Sequence, residues 1–184
     1  MKIYTKAGDD GTTGLFLGGR VSKADVLVDA CGDVDEAVAV LGVARASCAA
    51  SDPELAASLL LRQRELFVVG ADLATNPAHR DRLVPGVSLV TAEMVLELEG
   101  LIDSSVAERP LRPVFVVPGA TVTSASLDHA RTVVRRAERH VVHAQDSGHL
   151  VSTLALRYLN RLSDLVFVLA RHAAGEHEEP ASHD

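Results

Sequence analysis

Residues 5 to 23 read TKAGDDGTTGLFLGGRVSK, in which Gly8, Gly11, Gly14, Gly18 and Gly19 alternate with the hydroxyls of Thr5, Thr12 and Thr13 and the cations Lys6 and Lys23. Glycine-rich backbone of this kind can turn successive N–H groups toward a polyphosphate. The GxxxxGK[ST] spacing of a Walker loop and the strand that precedes it are both missing, so a flexible leader is the competing reading.

A second cluster of chemistry lies in SLDHARTVVRRAERHV. Arg131, Arg135 and Glu138 follow i, i+4, i+7 and share a helical face, flanked by Arg136 and Arg139. A solvated salt-bridge surface is one reading; rigid guanidinium forks that grip phosphate or a buried carboxylate are the other. In YLNRLSDLVFVLAR, Asn160 and Asp164 share a face of an otherwise apolar helix. An amide in such surroundings needs a partner, so Asn160 either crosslinks helices or faces a polar site. GDVDEAVAVLG adds Asp33, Asp35 and Glu36, which complement a helix N-terminus or pair with an arginine. His140 and His143 are spaced i, i+3, but no Glu-x-x-His pair accompanies them, and no Gly-x-Ser-x-Gly elbow is present.

These groups need elements to hold them. Apolar residues recur at helical spacing from about Asp25 to Ala49, then from a cap at Ser51 or Asp52 to Asn76-Pro77. Further helices are expected from near Thr91 to Arg109-Pro110, from about Ser124 to Ala144, and from about His149 to Ala173. Between the third and fourth, PLRPVFVVPGATVTS is a short extended apolar piece between prolines, and Phe115 in it reads as a core residue. The expected fold class is all-α, a five-helix bundle without convincing strand pairs. Residues 1–24 form the loop, 25–173 the bundle, and 174–184 a polar, disordered tail.

The 184 residues suit one domain; with 47% hydrophobic but 3% aromatic residues, its core is built from Leu, Val and Ala. A net charge of −7 disfavours nucleic acid or an anionic membrane as partner. No signal-peptide h-region and no membrane-length apolar run are evident, so the expected compartment is the cytoplasm. Cys31 and Cys48 fall about 25 Å apart on one helix, too far for a disulfide.

The segments YTKAGDDGTTGL, GDVDEAVAVLG, RRAER and LNRLSDLVFVLAR, in this order, resemble the PduO-type ATP:cob(I)alamin adenosyltransferases over residues 1 to about 172. The resemblance implies a homotrimer with active sites at subunit interfaces and transfer of the 5′-deoxyadenosyl group of ATP to cob(I)alamin. It implies that Thr5, Lys6, Ala7, Gly8, Thr13, Gly14 and Lys23 wrap the triphosphate, with Mg²⁺ accompanying it. Arg135, Arg136, Ala137, Glu138 and Arg139 match the ATP-contacting stretch, and Asn160 its last-helix asparagine. Asp35 and Arg131 match a pair that bridges subunits beside the site, and Phe115 matches an aromatic set against the lower face of the corrin.

Two departures accompany the resemblance: DEAV at Asp35 to Val38 where many relatives have Asp-Glu-Leu-Asn, and PGA at Pro118 to Ala120 where they have Pro-Gly-Gly. An adenosylcobalamin carrier that serves a mutase is an alternative function, and an ATP-sensing bundle is a third. A mutase that receives product and a reductase that supplies the electron are implied partners.

Overall fold

The computed structural model describes residues 3–182. Five long helices carry the fold: α1 (Val26–Cys48), α2 (Pro53–Leu73), α3 (Ala92–Glu108), α4 (Val122–Asp146) and α5 (Thr153–Ala174). Each begins where a short polar side chain meets orphan N–H groups. Asp25 accepts from the Leu27 N–H at 2.8 Å, Asp52 from that of Leu55 at 2.9 Å, and Thr91 from that of Met94 at 3.4 Å. Thr121 and Ser124 form a reciprocal capping box at the start of α4, and Ser152 caps α5. Gly148, at a φ of 92°, makes the turn between these last two helices.

Helix α4 packs against both α1 and α5, while α2 packs on α1 and α3 on α5. Leu41, Leu59, Leu66, Leu98, Leu127, Leu159 and Leu162 are all fully buried in the resulting core. Burying each such side chain contributes about 1.5–3 kcal/mol against the entropy of ordering the chain. Cys31 and Cys48 are both free, and burial pushes the Cys31 thiol up to about 11. Among the described residues no helix is long and apolar enough to cross a membrane.

Two features depart from the expected all-helical chain. The N-terminal segment folds into an antiparallel hairpin of β1 (Thr12–Gly14) and β2 (Arg20–Ser22), with Thr13 opposite Val21. Near the other terminus, β3 (Val116–Val117) pairs antiparallel with β4 (Glu179–Pro180), so the expected disorder of the tail does not hold there. The Ala181 N–H donates to the Phe115 carbonyl at 2.8 Å, and Arg112 donates to the Glu178 carbonyl at 3.3 Å. Backbone pairing over this distance in sequence leaves no periodic trace, which is why the polar composition misled. Residues 1 and 2 of the expected loop, and 183 and 184 of the expected tail, lie outside the described residues.

Candidate active site

An open cavity of about 480 Å³ runs along the C-terminal half of α4 beside α5, lined by Arg135, Glu138, Arg139, Val142, His143, Asp146 and Asn160. Its volume lies in the range of small-ligand sites. Arg135 and Arg139 are one helical turn apart on the same side of α4, and the Arg139 guanidinium is held there by donating to the Arg135 backbone carbonyl at 3.0 Å. Across from them, Asn160 Nδ2 donates to Glu138 Oε1 at 2.9 Å. Asn160 Oδ1 accepts from Arg161 Nη1 at 2.7 Å, and Arg161 Nε in turn donates to Glu99 Oε1 at 2.7 Å. Asn160 therefore both crosslinks helices and lines the site; the two readings of it were not exclusive.

RRAER does not act as one block. Arg135, Glu138 and Arg139 face the cavity, whereas Arg136 turns to α1, where its Nε donates to Asp33 Oδ1 at 2.9 Å and its Nη2 meets Glu36. Ala137 is fully buried in the core. A helix advances about 100° per residue, so five successive positions sweep the whole circumference and cannot all present to one cavity; Arg136 and Ala137 are the two that point away from the face shared by Arg135, Glu138 and Arg139. Within one chain, then, Arg136 and Ala137 do not line this cavity: the first pairs with α1 and the second packs in the core. His140 joins the Arg136 cluster through Asp33, while His143 stays with the cavity.

Arg131 also leaves the expected stripe. Its Nε lies 3.6 Å from Asp128 Oδ1, and its guanidinium sits 5.8 Å from the centre of the Phe167 ring. Arg171 approaches the same ring at 5.4 Å and pairs with Asp128 Oδ2. Phe167 is thus held by two cations. Asp35 is exposed, and no ion pair joins it to Arg131 within the chain. Phe167 also lines a second, more apolar cavity of about 460 Å³ between α3 and α5, with Leu111, Val106 and Asp164.

Phe115 is 90% exposed, which overturns its reading as a core residue. It stands at the entrance to β3 with its carbonyl fixed by the tail strand. The two departures in the motifs are accommodated without strain. Val38 packs against the core, and Ala120 falls outside the left-handed region that the neighbouring Gly119, at a φ of 127°, occupies.

The glycine hairpin is built around a residue the sequence did not single out, Arg20. Its Nε donates to Thr12 Oγ1 at 2.9 Å, its Nη2 donates to the Thr12 carbonyl at 3.2 Å, and the same nitrogen reaches the Ala7 carbonyl. Asp10 accepts from the Thr12 N–H at 2.9 Å and from its hydroxyl at 2.8 Å. The hydroxyl bond first, then the N–H bond and Arg20, hold the Asp10 carboxyl below its usual value. A Cβ on Gly8 would come within 3.1 Å of Lys23 Nζ, so the glycine permits the ammonium to lie against the loop. The only sequence signal for Arg20 was a lone cation beside paired glycines.

The hairpin and the cavity lie at the same end of the bundle. Asp25, where the hairpin segment enters α1, pairs at 3.2 Å with His149, just beyond the end of α4 that carries Asp146. Yet no residue of 3–24 lines the arginine cavity, so one chain does not bring the two expected halves of the site together.

The class so described is a helical bundle with a cavity that carries two arginines and, at the same end, a glycine hairpin, both suited to an anionic ligand. Residues 3–173 match the family described as Cobalamin adenosyltransferase, and the chain belongs to that family. A corrinoid adenosyltransferase from Citrobacter freundii is 42% identical over 170 residues, covering 92% of this chain and 93% of the relative. One from Mycobacterium bovis is 44% identical over 179 residues, covering 94% and 88%. A phenylalanine-to-histidine variant of the PduO-type ATP:corrinoid adenosyltransferase from Lactobacillus reuteri, solved with cobalamin and ATP, superposes with a TM-score of 0.87 at 32% identity over 99% of this chain and 96% of that one.

Proposed function

We propose that this chain transfers the 5′-deoxyadenosyl group of ATP to cob(I)alamin, giving adenosylcobalamin and triphosphate. The observation that carries the reading is the convergence of Arg135, Arg139, Glu138 and Asn160 on one cavity in a chain that belongs to this family along nearly its whole length. In the reaction the Co(I) electron pair forms a bond to C5′ while the C5′–O bond breaks and triphosphate departs. A nucleophile this strong needs no general base. The work left to the protein is alignment of the carbon with cobalt and stabilisation of the leaving charge.

Arg135 and Arg139 supply forked donors for phosphate, and the Glu138–Asn160 bond fixes the rim against which the nucleoside rests. Thr5, Lys6, Ala7, Gly8, Thr13, Gly14 and Lys23 supply N–H groups, hydroxyls and cations to the triphosphate. Among the described residues no cluster of three or more His, Cys, Asp or Glu side chains could hold a metal ion. Mg²⁺ therefore fits as a companion of the phosphate oxygens, where it would neutralise leaving-group charge, and not as a protein-caged ion. The exposed Phe115 gives corrin an apolar wall that excludes water and disfavours a lower axial ligand.

The active assembly in this reading is a homotrimer with sites between subunits, in the cytoplasm. Two features support it: the hairpin and the arginine cavity do not meet within one chain, and Asp35 stands exposed with no bond to Arg131. Light scattering should give three times the chain mass; a monomer that turns over at full rate would refute the assembly.

Anaerobic mixing with MgATP and reduced cobalamin tests the activity. Growth of the Co–C spectrum with matching release of triphosphate is expected. Binding of adenosylcobalamin without triphosphate release would instead favour a carrier to a dependent mutase, and absence of both would end the reading.

A further inference from the structure

The last turn of α2 is tied to two separate parts of the chain. Asp72 is fully buried, and its Oδ1 lies 2.5 Å from Arg80 Nη2 while its Oδ2 accepts from the Val90 N–H at 3.1 Å. Arg80 Nη1 also donates to the Asp72 carbonyl at 2.9 Å. A buried carboxylate stripped of such partners is strongly destabilising, so the connection from α2 to α3 is held in one geometry.

Asn76 begins that connection and faces both ways. Its Oδ1 caps the 3₁₀ turn Pro77–Arg82 by accepting from the Ala78 N–H at 3.0 Å, which leaves Nδ2 to donate to the Gly18 carbonyl at 3.0 Å. The backbone adds two bonds to the same loop: Phe16 N–H to the Ala74 carbonyl at 2.9 Å, and Asn76 N–H to the Phe16 carbonyl at 3.0 Å. Gly19 has a φ of 87°, and a Cβ there would lie 2.9 Å from Asn76 Nδ2. Both the backbone angle and the close approach of the amide require glycine.

The next residue along is Arg20, which stands opposite Gly14 in the hairpin and binds Thr12 and Ala7. A continuous set of contacts thus runs from the Asp72–Arg80 brace through Asn76 and Gly18–Gly19 to the loop of residues 7–14. We propose that Asn76 is a positioning residue for ATP: by gripping the closed end of the hairpin it sets where the phosphate-facing end lies. The inference rests on the assignment of that loop to ATP.

Asn76→Asp is the informative variant, because it keeps the Oδ1 cap while the donor to Gly18 becomes a carboxylate oxygen that repels the Gly18 carbonyl. In anaerobic kinetics it should raise the KM for ATP about fivefold, the loss of one partly exposed hydrogen bond, with kcat and the KM for corrin within twofold of wild type. Without ligand, amides 7–14 should exchange hydrogen faster than in wild type. Unchanged ATP KM and unchanged exchange would overturn the proposal, as would equal rises in both KM values, which mark general loss of structure. Wild-type protein that forms no Co–C bond would remove the adenosyltransferase reading and this role with it. Active wild type beside an unaffected variant removes the positioning role alone.

Discussion

Asn160 Nδ2 donates to Glu138 Oε1 at 2.9 Å, which joins α5 to α4 across the rim of the arginine cavity. The amide is used at both ends, since Arg161 occupies its oxygen. Asn160→Ala therefore removes the partner of Glu138 and leaves Arg161 with Glu99 alone, and Asn160→Asp sets a second carboxylate against Glu138. A hydrogen bond to a charged group is worth about 1.5–3 kcal/mol, so the alanine variant should raise the KM for ATP by roughly tenfold or more. The aspartate variant should be at least as impaired. Steady-state rates at varied ATP test this, and wild-type kinetics in either variant would exclude the pair from the site.

Arg135 and Arg136 are neighbours in sequence with different surroundings. Arg135 is exposed to the cavity, so Arg135→Ala should depress ATP use at least tenfold while the melting temperature stays within a degree or two. Arg136 pairs with Asp33 and Glu36 at a partly exposed surface. Arg136→Ala should cost about 1 kcal/mol after solvent screening and lower the melting temperature by about 2–4 °C, with kcat/KM for ATP little changed. Thermal melts beside kinetics distinguish the two, and an exchange of these phenotypes would reverse the assignment.

That pair also shows what a sequence can and cannot convey. The helices were legible because their apolar spacing and the caps Asp25, Asp52 and Thr91 are local signals. Helical spacing in RRAER already set Arg135 and Glu138 on one face, but what Arg136 meets on the other side depends on how α4 packs against α1. Arg20 was missed because its importance lies in reaching back to Thr12 and Ala7, a consequence of the hairpin. The pairing of β3 with β4 was invisible for a similar reason: two short strands recognise each other through backbone, which every residue has.

Phe115 offers a cleaner separation of stability from function. At 90% exposure it contributes little to the core of the single chain, so Phe115→Ala should leave denaturant stability within about 0.5 kcal/mol. Its proposed task is to shield the lower face of corrin, so the variant should slow formation of Co(I) from cob(II)alamin at least tenfold while ATP binding is retained. Anaerobic reduction followed by absorbance, beside calorimetric titration with ATP, reads the two separately. Equal rates of Co(I) formation would remove Phe115 from the corrin site.

Glu65 should give the fold a particular pH signature. It is nearly buried where α2, α3 and α5 meet, accepts from the Tyr158 hydroxyl at 2.5 Å, and lies 3.0 Å from Arg62, which also pairs with Glu97 at 2.7 Å. Desolvation raises its carboxyl above the ordinary value of 4.5, even though the Tyr158 bond and Arg62 oppose the shift. Burial also pushes the Tyr158 hydroxyl well up, so it remains a donor. A carboxyl raised in the folded state binds its proton more tightly there than in the unfolded chain. Its contribution to stability is complete below 4.5 and is lost as pH rises through the raised folded value. Glu65→Gln is always neutral and lacks this loss. Urea titrations over a pH series should therefore show the difference in stability, variant minus wild type, becoming more favourable to the variant as pH increases from 4.5. A difference that is flat with pH would show that the shift is absent, and one that moves the other way would show that Arg62 outweighs burial.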